Sequence, residues 1–149
     1  YLRLVEEAAA HLGGADEGRW VRRLRAESRN IDLALDQSQR DDPTDAHPRL
    51  CLGLARFWAQ TSRNHTGLRR FGDACAAVAT LPPTPRHAEL WFWKGLFHAQ
   101  VHDPDGADDA YARSLELCRA LGDRRGEAHL LRRQASLRQT LQQDRAARR

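Results

Sequence analysis

Valine and isoleucine are scarce in this chain, and no stretch alternates apolar with polar residues as a half-buried strand does. That excludes a sandwich, a barrel or a sheet-based fold and leaves an all-α reading. No apolar run approaches the roughly 18 residues that a membrane span needs, and the N-terminus has no signal-peptide pattern. The three cysteines, Cys51, Cys75 and Cys118, are odd in number, widely spaced and free of any CxxC. A disulfide framework or a zinc site needs closer, paired spacing. These cysteines are expected to be reduced, buried, small hydrophobes, which suits a cytoplasmic protein. Catalytic signatures are missing as well. "GGADEG" (13–18) has glycines but lacks the lysine and hydroxyl residue of a phosphate loop, and no GxSxG occurs. No enzyme activity and no cofactor are expected.

Lysine is nearly absent too: of 24 basic residues only Lys94 is a lysine. With abundant alanine, that points to a GC-rich genome as much as to a selected arginine surface. The net charge of +4 is uneven, because Arg119 to Arg149 hold nine arginines against Asp123, Glu127 and Asp144. Such an end either binds nucleic acid or is a solvated helix face. It lacks a recognition-helix motif and interleaved aromatics, so direct nucleic-acid contact is not expected. The chain begins at Tyr1 and ends in "RAARR", and is expected to be a piece of a larger protein.

Helix signals fill the sequence. Tyr1, Leu4, Val5, Ala8 and Leu12 share one face, and Gly13-Gly14 closes that run. Asp16 is placed to cap a second, long helix carrying Trp20, Leu24, Ile31, Ala34 and Leu35. Residues 1–40 therefore read as an N-terminal helical pair. "RDDPTDAHP" breaks the chain, and Pro48 suits the first turn of the next helix. "RNHTG", "LPPTPR", "HDPDG" and "GDRRG" mark the later turns and connectors.

A shift of 40 residues brings these helices into register. Leu50, Leu90 and Leu130 coincide, as do Cys51, Trp91 and Leu131. Ala55, Gly95 and Ala135 are all small, and so are Gly67, Ala107 and Ala147. Phe71 matches Tyr111, and Ala74 matches Ser114. A small residue in each helix lets a pair approach closely, and the aromatic fills the remaining space. One pair cannot cover its apolar face, so such units stack as a solenoid.

Within 88–118, Trp91, Gly95, Ala107, Tyr111 and Ser114 resemble the signature of the tetratricopeptide repeat. The pattern departs from it at Lys94, at His98 and in lacking a closing proline, and the period is nearer 40 than 34 residues. The resemblance implies one all-α, tetratricopeptide-like α-α superhelix over 1–149, with about seven helices. Its repeats would span 48–80 and 88–121, with a partial third at 127–149. "YLRLVEEAAAHL", "WVRRLRAESRNIDLAL", "RFWAQTSRNHTGLRRF" and "SLELCRALGDRRGEAHLL" also resemble the helical sensor region of actinobacterial signal-transduction ATPases of the AfsR, MalT and LuxR-like type. That resemblance implies a sensor or autoinhibitory segment of a transcription regulator. A free-standing peptide-binding adaptor, and a nucleic-acid-binding domain using the arginine-rich end, are the alternatives.

Groove positions implied by the repeat resemblance are Glu89, Phe92, Leu96, Ala99 and Gln100. One period earlier they are Arg49, Leu52, Arg56, Ala59 and Gln60. One period later they are His129, Arg132, Ser136, Gln139 and Thr140. This mixture of arginines, amides and apolar anchors suits an extended protein or peptide segment. A face that packs on another domain of the same parent chain would carry the same mixture. His98 and His102, four apart, do not complete a metal motif, since Ala99 stands where a zinc protease needs its glutamate. Asp103 and Asp105 near them read as turn and cap chemistry, and no metal is expected.

Overall fold

Several turns between successive helices are closed by a left-handed residue. In the computed structural model, which describes residues 1–149, Ser62 (φ 58°) and His102 (φ 62°) are the two non-glycine residues with positive φ. They stand 40 positions apart and close the same motif. Arg63 N donates to Trp58 O at 2.8 Å and Ser62 N to Ala59 O at 3.4 Å; Asp103 N donates to His98 O at 2.9 Å and His102 N to Ala99 O at 3.1 Å. These are paired helix-ending hydrogen bonds that satisfy otherwise orphaned carbonyls. Gly122 (φ 68°) repeats the motif, with Asp123 N donating to Cys118 O at 2.9 Å.

Eight helices result, and no strand: α1 Leu2–His11, α2 Glu17–Ala26, α3 Ser28–Asp41, α4 Ala46–Gln60, α5 Asn64–Val78, α6 Pro85–Gln100, α7 Pro104–Leu121 and α8 Arg124–Ala147. The sequence predicts about seven, with two in 1–40. The long second helix is instead divided at Glu27, whose backbone sits at φ −95°, ψ 4°. Its carboxylate accepts from the Asn30 amide at 2.9 Å and from the Tyr1 hydroxyl at 3.3 Å. Periodicity is blind to this break because Trp20, Leu24, Ile31 and Leu35 stay buried on both sides of it. Asp16 does precede α2, but its side chain makes no cap hydrogen bond. The working caps are Thr84, Asp103 and Asp123, which accept from His87 N, Gly106 N and Gly126 N. Each satisfies one of the free N–H groups at a helix start.

The chain divides into two compact units, Tyr1–Ala79 and Thr80–Arg149, and the division falls at the "LPPTPR" connector. In the first, α4 packs against α1, α3 and α5. Gly53 permits the crossing with α1: a Cβ there would stand 2.5 Å from Val5 Cγ1. Leu24, Leu35, Leu54, Phe57 and Phe71 fill the interior. Full burial of each such side chain contributes about 1.5–3 kcal/mol. In the second, α6 pairs with α7, and α8 packs on α7. Gly95 lies against the Tyr111 ring, and the Ser114 hydroxyl donates to Ala88 O at 2.6 Å. Ala107, Leu115, Leu117, Cys118 and Leu130 complete that core. No helix is long and apolar enough to cross a membrane.

Candidate functional site

The implied groove residues separate by unit. In the first unit the arginines are already engaged. Arg49 grips the Glu6 carboxylate with two nitrogens, at 2.8 and 3.0 Å, and reaches Asp45 at 3.5 Å. Arg56 donates to Leu12 O at 3.3 Å. The face of α4 bearing these residues is thus held against α1 and its C-terminal turn. Leu52 is half-buried and Gln60 exposed.

In the second unit, Glu89 and Phe92 from α6 meet His129 from α8. They line one cleft of about 160 Å³ with Ser114, Cys118 and Leu130. Positions 89 and 92 share a helix face because they are three apart. The Phe92 ring stands 5.2 Å from the His129 ring and 6.0 Å from that of Tyr111, and the Arg133 guanidinium lies 5.7 Å from its centroid. Asp123, the cap of α8, lies on the cleft's rim. Leu96 is half-buried farther along α6, Gln100 is exposed at its end, and Arg132, Ser136 and Gln139 are all exposed along α8.

Desolvation is partial in this cleft, since Glu89, Asp123 and His129 all remain exposed residues. It raises the Glu89 carboxyl above its usual range, and Arg86 opposes the shift. It lowers His129, with Arg133 and Arg132 adding to the effect, so the imidazole is favoured neutral. Cys118 is raised by desolvation and by Asp123 and Glu127. A raised thiol is held protonated, the reverse of an activated nucleophile.

A second cleft of about 350 Å³ runs between the α6–α7 turn and the C-terminal half of α8. Ala99, Leu137 and Leu141 form its apolar part, and His102, Thr140, Asp144, Arg145 and Arg148 its polar part. The two candidate metal histidines serve different ends. His98 Nδ1 meets Asp103 Oδ2 at 2.8 Å, while Asp103 Oδ1 accepts from Gly106 N at 3.0 Å. Both hydrogen bonds hold Asp103 below the usual carboxylate range, the Gly106 amide more strongly. No group of three or more His, Cys, Asp or Glu side chains stands close enough to hold a metal ion. Leu131, in register with the buried Cys51 and the half-buried Trp91, is 45% exposed.

Sequence reasoning missed Cys118 and Asp123 as cleft residues. The "GDRRG" turn was the available signal for Asp123, since Asp followed three residues later by Gly repeats in "DPDG". It also missed a buried polar cluster in the first unit. There the His47 ring lies between Ser38 Oγ, at 3.3 Å, and Cys51 Sγ, at 3.7 Å. Arg70, its side chain 4% exposed, pairs with Asp36 at 2.8 Å. All three cysteines are buried, and none forms a disulfide.

No family model, no curated protein and no solved structure matches the chain.

Proposed function

We propose that the chain is a tetratricopeptide-like binding module, and that the α6–α8 face of its second unit holds a protein or peptide segment. The observation that carries this reading is the meeting in one cleft of Glu89 and His129, which share a groove column, with Phe92 of the neighbouring column. An aromatic wall with a few polar groups on rigid helices is the usual make-up of a peptide-recognition surface. The protonated Cys118 and neutral His129 favour recognition over nucleophilic chemistry. The small-to-aromatic packing of Gly95 on Tyr111 and the matched turns at Ser62 and His102 support repeats of tetratricopeptide type.

In this reading the module is the sensor or regulatory segment of a cytoplasmic bacterial transcription regulator, of the AfsR, MalT and LuxR-like kind. Its ligand is a protein segment, including one from the same parent chain. The parent open reading frame tests that assignment. A phosphate-loop ATPase or a helix-turn-helix domain encoded beside this segment would sustain it. Neither module there would leave a peptide-binding adaptor and would refute the regulator assignment.

A further inference from the structure

The cleft beside Phe92 has a charge pattern unlike the rest of α8. Exposed arginines run along that helix at 124, 125, 132, 133 and 138. Yet the residues lining the cleft include two carboxylates, Glu89 and Asp123, and neither arginine nor lysine. Their companions are the Phe92 ring, the His129 imidazole and the apolar floor of Ala88 and Leu130. The Glu89 carboxylate stands exposed at the cleft mouth, where partial burial raises it and the Arg86 charge lowers it, and it accepts no side-chain hydrogen bond from the chain. Desolvating a carboxylate costs free energy unless a cation or donor restores what water gave. Asp123, also on the lining, uses one oxygen to accept from Gly126 N at 2.9 Å. The Phe92 ring already attracts a guanidinium, that of Arg133.

We infer that this cleft is a subsite for one cationic side chain, an arginine, of the bound segment. The inference rests on the reading of the α6–α8 face as the recognition surface, and it names what the partner must present. A volume of about 160 Å³ admits a single large side chain and not a folded ligand. A planar guanidinium can lie on an aromatic wall while donating to a carboxylate at its edge, a combination that a compact ammonium meets less well. The neutral His129 adds no charge of its own, so the cations that an incoming guanidinium must displace or outcompete are Arg133 over the Phe92 ring and Arg86, which acts on Glu89. Arginine is therefore favoured over lysine, and either over an acidic or neutral anchor.

The test uses the full 149-residue chain and N-acetyl-arginine methylamide as probe, followed by amide and aromatic NMR shifts. Saturable shifts at Phe92, His129 and Cys118 are expected, with a dissociation constant on the order of millimolar. The uncharged isostere N-acetyl-citrulline methylamide should bind at least about tenfold more weakly, as should the arginine probe to Glu89→Gln. Asp123→Asn removes the second charge while keeping a cap of equal quality, so the fold is retained, and it should weaken the probe several-fold. Equal binding of the citrulline and arginine probes, or no saturable shift at these residues, would overturn the subsite. Peptides that bind this face through Phe92 with no preference for arginine would also overturn it, while leaving the peptide-binding reading intact. Probe binding in the cleft without any peptide binding to the face would uphold the subsite and refute that reading.

Discussion

Replacing Gly95 with alanine should destabilise the second unit, although alanine is the better helix former. A Cβ at position 95 would fall 2.6 Å from Tyr111 Cδ1 and from Cε1. Favourable contact between carbons needs about 3.5–4.0 Å, so the helices or the ring must move. Tyr111 is 3% exposed and sits among Ala107, Leu115 and Phe92, which leaves its ring no free direction. Overpacking of this kind costs about 1–3 kcal/mol, against a helix-propensity gain of about 1 kcal/mol. The expected net loss is therefore about 1 kcal/mol. Gly72 in α5 is the matched control, since a Cβ there meets nothing within 4 Å. Gly72→Ala should stabilise its unit by up to about 1 kcal/mol. Hydrogen exchange read separately in α4–α5 and α6–α7 assigns each effect to its unit, and urea unfolding gives the size. In a Tyr111→Ala background the obstacle is gone, and Gly95→Ala should become stabilising. Additive behaviour of the two changes would refute the packing argument.

Two further predictions concern the first unit. Burial lowers the His47 pKa, and Arg70 adds to the shift, whereas the unfolded chain titrates near 6.5. Between those values the unfolded state binds more protons, so stability should fall as pH drops from about 7 through 6.5, levelling off below the folded value. His47→Gln should flatten that slope in exchange of the α3–α5 amides, and an unchanged slope would contradict the assignment. Asp36→Asn should lower stability by roughly 1 kcal/mol, well under the 3–5 kcal/mol of a fully buried pair, because Asp36 is half-exposed and water replaces part of its charge. Arg70→Met should cost less than Asp36→Asn, since Asp36→Asn leaves the buried Arg70 charge without its partner, whereas methionine removes that charge and fills much of the same space; chemical denaturation of both variants orders them.

What could be read from the sequence was whatever repeats or punctuates. The turns at Ser62 and His102, the Gly95–Tyr111 contact and the burial of Leu50, Leu90 and Leu130 all follow from the 40-residue register. "LPPTPR" likewise marked a rigid connector, the one between α5 and α6, because proline stiffens the chain and ends helices. The break at Glu27 was hidden because a single non-helical residue leaves the apolar spacing undisturbed. Glu89, Phe92 and His129 were legible as a set, yet the same columns in the first unit led to Arg49 and Arg56, which bind α1 and the turn after it. Column position fixes which way a side chain points along its helix and says nothing of what lies opposite. The cluster of Ser38, His47, Cys51 and Arg70 had no local signal, since its members come from three helices.

The most direct test of the binding reading is the affinity of one peptide, selected from a random library of roughly 12-residue peptides on the intact chain, for three forms of the protein. Wild type, Phe92→Ala in the cleft and Arg56→Ala in the first unit would be compared by fluorescence polarisation, with circular dichroism confirming unchanged helix content. Phe92→Ala should lose at least about tenfold in affinity, about 1.4 kcal/mol, and Arg56→Ala should change little. Equal affinity of wild type and Phe92→Ala, or failure of any peptide to bind saturably, would contradict the assignment of the α6–α8 face.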